Sequence, residues 1–187
     1  MHYKSMAVFC GSRPGANELY VQHAKQLGIL MAENNISLVY GGGSKGLMGA
    51  VADAVMDNGG NVIGVIPEVL VKWEAQHHGI TELHVVADMH SRKKMMYELC
   101  DAAIILPGGY GTLDELFELL TWNTLQIHSK KIILLNSAGY YEHLLNHIHQ
   151  MTKEAFLYED WQERIMIVDE PSAIFLRTLD KIQSLSL

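Results

Sequence analysis

The chain alternates short runs of Val, Ile, Leu and Ala with segments of helical period, and that rhythm narrows the folds open to it. The runs at residues 6–9, 36–40, 62–66, 83–87, 102–106, 131–135 and 165–168 are apolar apart from Ser37, His84 and Lys131. They read as strands buried on both faces. Between them, Asn17 is placed to cap a helix reaching about residue 34, with Leu19, Ala24, Leu27, Leu30 and Met31 on its inner side. Further helices are expected over 47–56, stopped by Asn58-Gly59-Gly60, over 88–99, capped by Asp88, and over 112–126, 141–151 and 171–182. Strand–helix alternation throughout implies α/β architecture: a parallel sheet wrapped by helices, in one domain over residues 1–187. Residues 67–80 break the pattern and hold Trp73, Glu74 and the pair His77-His78. Long irregular connections in such domains often carry function.

Ligands of parallel sheets sit at the carboxyl ends of the strands. Two glycine-rich loops fall there, Gly41-Gly42-Gly43-Ser44-Lys45-Gly46 and Pro107-Gly108-Gly109-Tyr110-Gly111-Thr112, as do Arg13 and, one turn into its helix, Arg92. Without Cβ atoms, backbone N–H groups crowd around an anion, and the following helix points its positive end at the same place. Two such loops in one small domain point to a phosphorylated molecule held from two sides. Gly41, Gly43 and Gly46 match the spacing of a dinucleotide fingerprint, but the next strand ends in Pro67, with Glu68 just beyond. A phosphate-binding P-loop needs Gly-Lys-Ser/Thr, whereas this chain has Ser44-Lys45-Gly46. Phosphate or nucleotide contact fits the first loop better than nicotinamide binding; a ligand-free tight turn is the plain alternative.

A net charge of −7 and a pI near 5.8 exclude a nucleic-acid polymer as the expected partner, because those interfaces are strongly positive. The only cysteines, Cys10 and Cys100, do not make a disulfide framework. The first residues lack the apolar core of a secretory leader, and no apolar run is long enough to cross a bilayer. The expected setting is cytoplasmic.

Thr112-Leu113-Asp114-Glu115 has the form of a helix-capping box, in which Thr112 and Glu115 satisfy each other's backbone N–H groups. The same pattern puts Leu113, Leu116, Phe117 and Leu120 on the buried face. The functional alternative is that Glu115 faces the crevice and works on a sugar. Breaking an N-glycosidic bond develops positive charge at the anomeric carbon, which a nearby carboxylate stabilises, captures or supplies with activated water. Arg92, Lys93 and Lys94 are the cations available to keep it ionised beside a phosphate, or else they form a solvated helix face.

Three blocks carry a specific resemblance: Gly43-Ser44-Lys45-Gly46-Leu47-Met48-Gly49, Met89-His90-Ser91-Arg92-Lys93-Lys94-Met95, and Pro107 through Glu115. Together they resemble the LOG ("lonely guy") family, long labelled "possible lysine decarboxylases", with its signatures M-x-x-R-K and P-G-G-x-G-T-x-x-E intact. The resemblance runs from about residue 6 to the last helix. It implies a Rossmann-like, doubly wound fold and a homodimer with active sites near the interface. It also implies a cytokinin-riboside 5′-monophosphate phosphoribohydrolase, which splits nucleoside monophosphates, AMP included, into free base and ribose 5-phosphate. Arg92 and Glu115 would be the catalytic pair. Glu74 would contact substrate, and Lys93, Gly109, Tyr110, Gly111 and Thr112 would line the nucleotide site, with Gly43, Ser44 and Lys45 of the first loop also on the phosphate. Around Glu74 the chain departs from the family, since His77-His78 replaces a Thr/Gly-rich stretch.

Other signals are weaker. His143 and His147 are four apart on a helix, but Glu142 precedes rather than follows the first, and no third ligand stands out. Cys10 reads as a small buried hydrophobe and the ten methionines as core filler, although Met48, Met89, Met95 and Met96 flank the expected site and would suit an adaptable pocket. Lysine decarboxylation needs pyridoxal phosphate on a Schiff-base lysine; Lys45 is the only loop candidate, and phosphate contact explains it more simply. No metal or other cofactor is called for. The rivals to the hydrolase are a non-catalytic nucleotide carrier on the same fold and a nicotinamide-dependent oxidoreductase.

Overall fold

The computed structural model describes residues 3–71, 76–158 and 160–176. In chain order it runs β1 (Ser5–Phe9), α1 (Glu18–Glu33), β2 (Ser37–Tyr40), α2 (Gly46–Asp57), β3 (Val62–Pro67) and α3 (Glu68–Val71). It continues with β4 (Glu82–Val86), α4 (Met89–Leu99), β5 (Ala102–Ile105), α5 (Tyr110–Thr124), β6 (Lys131–Leu135), α6 (Glu142–Lys153) and β7 (Ile165–Val168). Every strand expected from the apolar runs is present. The last expected helix is helical over 172–176, and its remainder lies outside the described residues.

The seven strands form one sheet in the order β4-β3-β2-β1-β5-β6-β7, every adjacent pair parallel. The chain winds outward from β1 in one direction, then returns to lay β5 on β1's other side. That is the doubly wound arrangement, with its crevice between β1 and β5. Strand residues alternate between two cores. Met6 and Val8 join the layer containing Leu27, Met31, Val51 and Val55, while Ala7 and Phe9 join the layer containing Tyr97, Leu116 and Leu119. Burial on both sides explains why the central strands are mostly apolar. The edge strand β4, expected to be buried on both faces, carries Glu82 and His84 and has no fully buried residue, because only one neighbour covers it. Among the described residues, no helix is long and apolar enough to cross a membrane.

Asn17 caps α1 by accepting the Leu19 N–H at 3.0 Å, and Asp88 caps α4 by accepting that of Ser91 at 2.7 Å. α5 departs from expectation. It begins at Tyr110 behind Gly109, which has no side chain to cap it, so Thr112 sits inside the first turn and no capping box forms. The buried face carries Thr112, Glu115, Leu116, Leu119 and Asn123, and Phe117 is only partly covered.

α1 and α2 cross at Gly28, where a Cβ would stand 2.6 Å from the Val51 carbonyl oxygen and 2.7 Å from the Ala54 Cβ. Gly28→Ala gains about 1 kcal/mol of helix propensity but loses more to overpacking, about 1–3 kcal/mol. The expected result is a net loss and a melting temperature lower by about 2–6 °C, read by thermal denaturation.

Candidate active site

The crevice is closed by backbone packed on backbone. The Gly11 N–H donates to the Pro107 carbonyl at 3.0 Å, and the Gly11 carbonyl accepts the Leu47 N–H at 3.1 Å. One peptide after β1 thus ties the second glycine loop to the helix that follows the first. Gly46, at φ +60°, packs against the Ser12–Arg13 backbone so closely that a Cβ would collide with it. Tyr140 donates to the Gly108 carbonyl at 2.6 Å, and Tyr141 to that of Leu106 at 2.6 Å, pinning the second loop from below.

Above this floor lies a cleft of about 370 Å³, within the usual range of small-molecule sites. Its walls are Cys10, Gly11 and Ser12 after β1, Gly41 after β2, Arg92 on α4, and Gly109 through Thr112 with Asp114 and Glu115 on α5. The first amides of α5 have no carbonyl one turn back to bond, and they open on this space together with the positive end of the helix. A Cβ at Gly109 or Gly111 would meet no atom within 4 Å. The absence of side chains there leaves the amides approachable.

Arg92 is 6% exposed. Its Nε donates to the Val65 carbonyl at 3.2 Å and its Nη2 to the Gly41 carbonyl at 3.1 Å, while Nη1 lies 3.7 Å from the Met89 sulfur. Parallel strands end in carbonyl oxygens, and the planar guanidinium fork docks on two of them. Gly41 is necessary for this, because a Cβ there would strike the guanidinium. Glu115 is 8% exposed on the buried face of α5, beside Leu116 and Leu119. A carboxylate so placed needs nearby opposite charge to stay ionised. Cys10 lies beside both groups: burial and the Glu115 carboxylate push its thiol far above the usual thiol range, and the Arg92 guanidinium opposes them.

The structure divides the expected site residues. Arg92, Glu115, Gly109, Tyr110, Gly111 and Thr112 share the cleft. Lys93 turns aside, its ammonium 3.1 Å from both Asp114 and Glu118, and Lys94 is exposed beside Glu98. Gly43, Ser44 and Lys45 are not in the cleft wall; Gly43 is buried against Gln76, and Ser44 and Lys45 are exposed. Glu74 lies outside the described residues. His77 does structural work, with its N–H on the Gly42 carbonyl at 3.0 Å and its Nε2 2.9 Å from Asp53. His143 and His147 are exposed, and among the described residues no group of three His, Cys, Asp or Glu gathers as a metal site.

Met48, Met89 and Met96 join Leu70 in an apolar part of the wall, whereas Met95 packs into the core behind it. Sequence reasoning reads Gly11 and Ser12 only as a turn; their signal was their place just beyond β1, beside the crossover.

Residues 48–177 match the family described as "Possible lysine decarboxylase". The chain is 49% identical over 165 residues to the "Cytokinin riboside 5'-monophosphate phosphoribohydrolase" of Rhodococcoides fascians, covering 88% of this chain and 83% of that protein. It is 47% identical over 171 residues to the Arabidopsis thaliana protein of the same name designated LOG1, covering 91% and 79%. Among solved structures, the Moco carrier protein from Chlamydomonas reinhardtii superposes with a TM-score of 0.70 at 17% identity, over 96% of this chain and 98% of that one. At that identity the likeness concerns the fold.

Burial raises the thiols of both Cys10 and Cys100, so neither carries appreciable thiolate near neutrality. A colorimetric thiol reagent at about pH 8 is expected to label neither in the native protein within minutes, and both once the chain is unfolded. Rapid native labelling of one thiol would contradict the buried placement of Cys10 or Cys100.

Proposed function

This chain belongs to the LOG family, matched under the description "Possible lysine decarboxylase", and on that footing we propose that it is a nucleoside 5′-monophosphate phosphoribohydrolase. It takes up water and breaks the bond between the anomeric carbon and the base nitrogen, releasing free base and ribose 5-phosphate. Relatives close to half identical over most of the chain carry that activity in their names. The observation that carries the reading at the level of chemistry is a buried carboxylate, Glu115, in one cleft with a buried guanidinium and a side-chain-free helix N-terminus.

The parts then take roles. The 5′-phosphate sits on the amides of Gly109, Gly111 and Thr112, where the α5 dipole favours negative charge. Tyr110, 95% exposed at the mouth, is positioned to close over the nucleotide. Arg92, held on two strand-end carbonyls, orients the substrate and counters developing negative charge. Glu115 stabilises the cationic anomeric carbon, directly or through a water it activates. The Met48, Met89 and Met96 wall receives the base; unbranched thioethers adapt to purines with and without an apolar N6 substituent. Lysine decarboxylation finds no support, since Lys45 stands outside the cleft.

The same reading extends to AMP as a substrate, to a cytoplasmic setting suited to two reduced buried thiols, and to a homodimer. An apolar groove of about 310 Å³ on the outer side of α5, with Leu125 and Phe156 exposed by 64% and 76%, gives that dimer a surface to bury.

Incubation with AMP and with its N6-isopentenyl derivative, followed by chromatography of released base, tests the activity. Glu115→Gln and Arg92→Ala should each lose on the order of 10²–10⁴-fold in turnover while keeping the wild-type melting profile. AMP bound but recovered intact from the wild type would favour a carrier. Near-normal hydrolysis by Glu115→Gln would overturn the assignment of that carboxylate.

A further inference from the structure

Beside the cleft lies a charged cluster that the reaction above does not use. Lys93 follows Arg92 on α4, Asp114 precedes Glu115 on α5, and Glu118 stands one turn further along. The Lys93 ammonium bonds both carboxylates at 3.1 Å and is only 14% exposed. Tyr97, one turn beyond Lys93, donates to the same Glu118 oxygen at 3.0 Å, and its hydroxyl lies 3.5 Å from the backbone oxygen of Glu115. Its ring is wedged edge-on between Phe9 and Trp122. Two residues one turn apart on α4 thus grip the turn of α5 on either side of Glu115.

We propose that Lys93 is a positioning residue for Glu115 rather than a ligand of the substrate: with Asp114, Glu118 and Tyr97 it fixes α5 against α4 and offsets the negative charge gathered around the catalytic carboxylate. This rests on the reading of Glu115 given above. Two of the three ammonium N–H groups are already taken by carboxylates, and Lys93 is not part of the cleft wall. Asp114 and Glu118 would otherwise stand as two uncompensated negative charges within a turn of Glu115, and like charges raise a carboxyl pKa. The groups facing this region are Arg92, Lys93 and Tyr97 from α4, Asp114 and Glu118 from α5, Cys10 after β1, and His128, whose ring lies 6.5 Å from that of Tyr97. Burial works against the Lys93 ammonium, but the hydrogen bonds and charges of Asp114 and Glu118 together outweigh it and hold the group above its usual range, so it stays charged wherever the enzyme works.

The signs follow. Turnover requires ionised Glu115, so the acid limb of the kcat profile tracks its pKa. Lys93→Met removes a positive charge and should move that limb up by about one pH unit, with kcat falling about tenfold at its plateau and KM within about twofold of wild type. Glu118→Gln removes a negative charge and should move the limb down by about half a unit. The Lys93→Met/Glu118→Gln double variant should fall between the two, and Lys93→Arg should restore most of the loss.

The experiment is steady-state hydrolysis of AMP from about pH 5 to about pH 9 by the full-length proteins, with melting curves as a control. Opposite shifts in the two single variants at constant KM support the proposal. A Lys93→Met enzyme with raised KM and an unmoved acid limb would make Lys93 a substrate contact and overturn it. Should Lys93→Met fail to fold, Glu118→Gln decides alone, an unmoved limb counting against the proposal. A wild type that releases no base would instead sink the hydrolase reading on which this one stands.

Discussion

The site depends on one peptide. Gly11, directly after the first strand, donates to one glycine loop and accepts from the helix that follows the other, at 3.0 Å and 3.1 Å. Backbone groups can approach so closely only where side chains are missing, and the glycines at 11, 46 and 108 meet at this junction. The doubly wound topology supplies the reason. Where the chain reverses its direction of winding between β1 and β5, the connections diverge and leave a crevice. Without the Gly11 bridge, the two loops would be separate turns after β2 and β5, which lie on opposite sides of β1. With it, they are tied into one floor.

Two charged side chains stand on this floor for different reasons. Arg92 is buried because parallel strands end in carbonyl oxygens that a guanidinium fork satisfies. Glu115 is buried because it lies on the face of α5 that packs inward, with Leu116 and Leu119. Helix phase thus puts an acidic side chain in a core position.

Much of the architecture could be read from the chain. The seven strands and the caps at Asn17 and Asp88 follow from apolar runs and from short polar side chains at helix starts. Arg92, Glu115 and the second glycine loop were legible as one candidate site because their motifs fall at strand–helix junctions. Lys93, Ser44 and Lys45 stand outside the cleft wall. Adjacency in sequence says nothing about which way a side chain turns, and Arg92, Lys93 and Lys94 project around a helix at about 100° per residue, into the cleft, toward α5 and into solvent. Thr112-Leu113-Asp114-Glu115 reads equally as a capping box or as a turn with a crevice-facing acid; a local motif competes with the tertiary packing of its helix, and α5 starts at Tyr110 behind Gly109.

The sequence by itself determined a parallel α/β sheet, the strand ends on which function would lie, and the family, because hydrophobic period, glycine loops and signature blocks are local properties of the chain. Only the tertiary structure decided which of those residues meet. The crossover between β1 and β5 brings together positions 11, 41, 92 and 109–115, which are far apart in sequence and linked by no local rule. The phase of α5 then decides that Glu115 faces Arg92's cleft while Lys93 is held by Asp114 and Glu118 beside it, since a rotation of one residue would exchange their places.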